Sequence, residues 1–189
     1  MNSEDAKLLA TSFLDHYRPN RQKSGCAREV LGYKPIIVVL NREGARRSLG
    51  NHEEIIEALR DAGYDVTYKE SFDGVPFVEQ MRFLSQVDIL IGPHGAQFTN
   101  TLFQPECGSL LELFNREYYC PNFFGSLAAL SGKHHFFVYP GGETNQKTLH
   151  AAREAPFFEV NPDIVVEMTN LMVKRWHSCC QSGFRAEQQ

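Results

Sequence analysis

Between residues 36 and 139 the apolar positions switch repeatedly between two rhythms. Ile36–Leu40 and Asp88–Ile91 are short, unbroken, mostly branched runs, the pattern of strands buried on both faces of a parallel sheet. Asp65–Lys69, Ser109–Phe114 and His134–Tyr139 predict further strands. Between them the spacing turns helical: Ile55, Ile56 and Leu59; then Phe77, Met81, Leu84 and Val87; then residues 122–130. Asn51 with Glu54 predicts a capping box, Gly63 a left-handed stop, and Pro76 a first helical turn. A short helix is expected over about 96–103. A last one is expected over 163–176, with Val166, Thr169 or Asn170, Val173 and Trp176 facing inward. Ahead of this frame, Ala6, Leu9, Ala10, Phe13 and Leu14 predict an amphipathic helix ending before Pro19. Residues 20–32 read as a polar, basic linker, and those from 140 to about 160 as a polar loop.

About five strands alternating with about five helices predict an α/β fold, a Rossmann-like doubly wound, mostly parallel sheet. Such sheets bind ligands beyond the carboxyl ends of their strands, so function is expected in the loops at 41–51, 92–100, 114–121 and 140–156. The organisation that follows is a helix and linker over 1–34, one α/β domain over 35–178, and a flexible tail over 179–189.

Of these loops, Gly92-Pro93-His94-Gly95-Ala96 carries the clearest chemistry. Gly92 and Gly95 let backbone N–H groups approach an anion, and the helix expected from Ala96 adds its positive end. His94 can donate to a phosphate or ribose oxygen, with Thr99 and Asn100 one turn further on. A tight turn with a satisfied histidine is the competing reading. After the first strand, Arg42, Arg46 and Arg47 can neutralise a diphosphate through guanidinium forks, or form a solvated basic loop. Glu112 interrupts an apolar strand and needs a partner, either a donor ribose or a loop N–H. His52, His134, His135, Tyr118, Tyr119 and the loop Gly141–Asn145 are lesser candidates, with packing or a plain polar loop as the alternative.

Composition narrows this picture only modestly. A chain of 189 residues with 42% hydrophobic and 22% charged residues suits one globular domain, and a formal charge of -4 disfavours a broad nucleic-acid surface. No apolar run is long enough for a membrane span, and Met1–Asp5 lacks the apolar core of a signal peptide. Cys26, Cys107, Cys120, Cys179 and Cys180 show no zinc spacing, so no metal site is expected. Their odd number fits reduced thiols, with one or two disulfides in an oxidising lumen as the alternative. The chain lacks the Gly-x-Gly-x-x-Gly dinucleotide fingerprint, a Walker loop, a Gly-x-Ser-x-Gly elbow and an Asp-x-Asp pair.

The string Val87–Asn100, followed by Leu102-Phe103, Pro105 and Ser109–Phe114, resembles glycosyltransferase family 61. Asn41-Arg42, Arg46-Arg47, Asn51 and Glu53–Leu59 resemble that family's upstream arginine-rich element. Gln97 and Phe98 depart from it, since the family more often has glycine and leucine there. The resemblance covers roughly residues 35–175. It implies the donor-binding half of a GT-B enzyme that transfers a sugar with inversion from UDP-GlcNAc, UDP-xylose or a similar UDP-sugar to a glycan or protein hydroxyl. No cofactor or metal is required on this reading. The nucleotide-sugar-binding residues would be Arg42, Arg46, Arg47, Gly92, His94, Gly95, Ala96, Thr99, Asn100 and Glu112, with no catalytic base assigned. The resemblance also implies an ER or Golgi lumen, and a partner domain or second copy to complete the cleft, because the 34 leading residues offer no acceptor-side domain. A nucleotide-sugar-binding module without turnover is the main alternative, and a nucleotide-dependent oxidoreductase a weaker one.

Overall fold

The run at 36–40 becomes β1 (Ile37–Leu40), whose side chains alternate into two separate cores. The computed structural model describes residues 2–17, 26, 32, 34–143 and 145–186. In it β1 lies inside a parallel five-stranded sheet ordered β3 (Val66–Lys69), β1, β4 (Ile89–Pro93), β5 (Ser109–Leu113), β6 (His134–Val138). The chain passes from β1 to β3 on one side, then returns to place β4 on the other. The strand order therefore reverses between β1 and β4, where such sheets open a crevice at their carboxyl edge.

Ile37 and Val39 pack with Ile55 and Leu59 of α2 (His52–Asp61) and with Val165 and Met172 of the last helix. Val38 and Leu40 pack on the opposite face with Leu84 of α3 (Phe77–Leu84), Phe98 of the 3-10 helix Ala96–Phe103, and Phe124 of α4 (Asn122–Leu130). The first helix, α1 (Ser3–Tyr17), lies outside this layer and sets Phe13 edge-on against Phe77 and Phe103.

Several local expectations are corrected. Asn51 does not cap α2 through its side chain. It donates to Val160 O (2.9 Å) and accepts from Val160 N (3.2 Å), so a distant strap outcompetes the local box. The polar stretch after residue 140 contains α5 (Gln146–Glu154), started by a capping box between Asn145 and Thr148. It also contains β7 (Phe157–Phe158), which pairs with β2 (Ser48–Leu49). The last helix, α6 (Pro162–Ala186), buries Val165, Thr169, Met172, Trp176 and Cys180, while Asn170 is exposed. It runs through most of the stretch expected to be a flexible tail. The 20–32 linker lies outside the described residues apart from Cys26 and Gly32.

The reduced-thiol expectation fails for four of the five cysteines. Cys26 bonds Cys180, and Cys107 bonds Cys179, while Cys120 is free. Spacing along the chain hid this, because the adjacent pair on α6 meets two segments from opposite parts of the sequence. The sulfurs of Cys26, Cys107 and Cys180 lie within 4.8 Å of one another, but each is already committed to a disulfide. No described helix is long and apolar enough to cross a membrane.

Candidate functional site

The crevice between β1 and β4 is built by one buried asparagine and one arginine. Asn41, just past β1, accepts N–H bonds from Arg42 (2.8 Å) and Leu49 (2.7 Å). Its amide donates to Leu49 O (3.1 Å) and Tyr68 Oη (3.2 Å). The first three of these bonds fold the 41–49 loop back on itself, and the fourth ties it to β3. Arg42 then spans the crevice, its guanidinium donating to His94 O at 2.7 Å.

The two loop glycines are required by close packing. A Cβ on Gly92 would collide with the carbonyl oxygen of Leu40, and one on Gly95 with the Arg42 guanidinium. Arg42 is held below the usual arginine range, first by burial and then by the positive charge of Arg47, with Tyr118 and Asp73 opposing. Beside it lies a cavity of about 290 Å³ lined by Arg42, Ala45, Ser71, Asp73, Gln80 and Gln97, among others. A half-buried cation repelled by a second cation and opening on a cavity is an arrangement that attracts an anion.

The remaining expected residues divide. Arg47 adopts a left-handed backbone (φ 58°), donates to Arg153 O (2.7 Å), and lies over the Tyr118 ring at 4.7 Å. Arg46 is largely exposed and pairs with Glu154, the residue next to the Arg153 whose carbonyl Arg47 holds. Ala96 and Thr99 are exposed at the start of the 3-10 helix, where the first N–H groups have no partner within the helix. Thr99 donates to Ala96 O, and buried Asn100 donates to Gln80 Oε1 at 2.8 Å, tying the 3-10 helix to α3. Of the two departures from the family pattern, Phe98 fills the core and Gln97 lines the cavity.

Glu112 is fully buried on β5, and its partners are two histidines. Oε1 faces Nδ1 of His94 at 2.5 Å, and Oε2 faces Nε2 of His135 at 2.8 Å. Among the described residues these two rings are its hydrogen-bond partners, and no loop N–H reaches it. His94 is stacked on Phe114 (5.2 Å) and boxed by Tyr118 (5.2 Å) and Phe124 (5.1 Å). Sequence reasoning missed Asn41 as the loop's anchor, His135 as a partner of Glu112, and Ser71, Asp73 and Gln80 as cavity lining. Asn41, Ser71 and Asp73 follow the carboxyl ends of predicted strands, which is their only sequence signal, whereas His135 near the start of β6 and Gln80 within α3 carry none.

The pattern of the family described as Glycosyltransferase 61 matches residues 2–111, starting well upstream of the region that carries the resemblance. An EGF domain-specific O-linked N-acetylglucosamine transferase of Drosophila melanogaster is 37% identical over 97 residues, 51% of this chain. Its counterpart in Canis lupus familiaris is 32% identical over 125 residues, 60% of the chain. A beta-1,2-xylosyltransferase of Oryza sativa subsp. japonica is 26% identical over 142 residues, 74% of the chain. The chain covers 18%, 23% and 25% of those three relatives, respectively.

Proposed function

This chain belongs to glycosyltransferase family 61, and from that premise we propose that it holds a UDP-sugar in the β1–β4 crevice, for inverting transfer to a hydroxyl without a metal. The observation that carries this reading is Arg42, which spans the switch point under the repulsion of Arg47 and closes over Gly95. A diphosphate seated there would relieve that repulsion and meet the open N–H groups of the 3-10 helix. As the bond from the sugar's anomeric carbon to the diphosphate breaks, its electron pair goes to the leaving phosphate oxygen. Arg42 and Arg47 would stabilise that charge electrostatically. The acceptor hydroxyl attacks the opposite face of the same carbon and loses its proton to a base that none of these residues is assigned to supply.

GlcNAc and xylose are the sugars named by the relatives, and both remain options for this donor. An oxidising ER or Golgi lumen is the compartment we propose, supported by the two disulfides. Titration calorimetry with UDP and UDP-sugars tests the site. Binding that weakens at least about tenfold in Arg42→Ala is expected, from loss of a charge-assisted contact. No binding of either ligand at millimolar concentration would sink the reading.

The short span of the relatives covered favours a second reading, a donor-binding part of a two-domain GT-B enzyme that does not turn over alone. UDP binding without UDP release from a UDP-sugar would support it over a self-sufficient transferase.

A further inference from the structure

The buried trio His94–Glu112–His135 lies beneath the crevice and is not explained by packing alone. A carboxylate has only acceptors to offer, so each histidine nitrogen facing it must be the one that bears a hydrogen. This places N–H on Nδ1 of His94 and on Nε2 of His135. Glu112 is completely enclosed, while the His94 side chain keeps 9% of its surface open. The remaining ring nitrogen, Nε2 of His94, has no hydrogen-bond partner among the described residues. His135 is itself wedged, since a Cβ on Gly125 of α4 would come within 2.8 Å of its ring. It therefore stops the carboxylate from turning.

From this geometry we infer that Glu112, braced by His135, is a positioning residue for His94. It fixes the Nδ1 hydrogen and balances an imidazolium, so that Nε2–H is offered to the bound diphosphate. The inference rests on the donor-site reading given above. The Nε2 proton is drawn from solvent as the anion binds, and no covalent bond is made or broken. The titratable and charged groups around the trio are Glu112 from β5, Tyr118 and Cys120 from the loop after β5 (Cys120 acting on Glu112 and not on the ring), His135 from β6, and Arg42 on the His94 carbonyl. Helix α4 contributes Phe123 and Phe124, which carry no charge. Among these groups Glu112 alone offers His94 a negative charge at hydrogen-bond distance.

Long-range nitrogen–proton NMR on histidine-labelled protein reads the two ring nitrogens separately. In the wild type, His94 should carry its hydrogen on Nδ1, and Nε2 should move to a protonated shift as UDP is added. Glu112→Gln offers one oxygen and one NH₂, so one of the two rings must present a lone pair instead. In that variant the UDP-induced shift at Nε2 should be lost, with UDP affinity down about tenfold. His94 lacking the Nδ1 hydrogen in the wild type would overturn the inference, and that measurement needs no variant to fold. So would an Nε2 shift equal in the variant and the wild type. If the wild type binds no UDP, the donor-site reading fails, while the hydrogen on Nδ1 still tests how Glu112 holds His94.

Discussion

Arg42, Arg46 and Arg47 are three like residues within six positions, and the fold gives them different roles. Arg42 closes on the glycine loop, Arg47 is pinned over Tyr118, and Arg46 leaves for Glu154. Arg46→Ala is accordingly expected to change UDP affinity by less than about twofold, as for an exposed ion pair. Gly95→Ala should weaken UDP at least about tenfold by displacing the Arg42 guanidinium. Calorimetry on the two variants side by side decides whether the arginines act singly or as an undifferentiated basic loop. Lys133, in the turn after α4, gives a pH-dependent case. Burial pushes its amine down to about 8 from 10.5, Lys7 adding to the shift and Glu106 opposing it. Between those values the unfolded chain holds a proton that the folded chain lacks, so stability should rise with pH across the window. Lys133→Met should be more stable than the parent at pH 7, with the difference shrinking towards pH 10.5 in urea titrations. Glu112 illustrates what the sequence conveys at this scale. Its interruption of an apolar strand marks it as needing a partner, but His135 sits 23 residues on in the next strand. Only the β5–β6 register, Leu110 opposite His135, puts the two side chains on one face.

At the scale of elements, unbroken branched runs and clean helical spacing were readable directly, and the five strands fall within a residue or two of their expected places. The failures occur where a distant contact overrides a local signal. Asn51 abandons its capping box for Val160, and α5 starts inside a stretch whose only marker was Asn145. The inward face of α6 keeps Thr169 and Trp176 as expected, but Val165 and Met172 are the fully buried residues, with the expected Val166 and Val173 beside them and partly buried. Its far end is fixed by Cys179 and Cys180, two residues expected to lie in a loose tail. Removing one bond tests how much this anchoring contributes. Cys107→Ser with Cys179→Ser opens a closure spanning 72 residues and should cost about 3 kcal/mol in guanidinium unfolding. A cost near zero would mean that packing of Trp176 and Cys180 holds the helix end without help.

For the whole molecule, the two cores share a single sheet, whose strands β1, β4 and β5 each contribute side chains to both. Thermal unfolding is therefore expected as one cooperative transition. UDP at a hundredfold excess over its dissociation constant should shift that transition as a unit, equivalent to about 2.7 kcal/mol. Two transitions, with only one moved by ligand, would contradict this. The candidate site was legible from the switch-point rule and the glycine loop, because both depend on chain order alone. Its selectivity was not, because Ser71, Asp73 and Gln80 reach the cavity only through the sheet order. The adjacent cysteines on α6 also set the order of events during biosynthesis. Neither closure can form until the ribosome has added residue 179, so Cys26 and Cys107 must wait as thiols while the rest of the sheet is made. During that wait a bond between those two, or with Cys120, is an available error. Each correct closure hands two electrons to an oxidant, so maturation of this protein becomes a contest between late pairing and early mispairing, one that an isomerase would resolve.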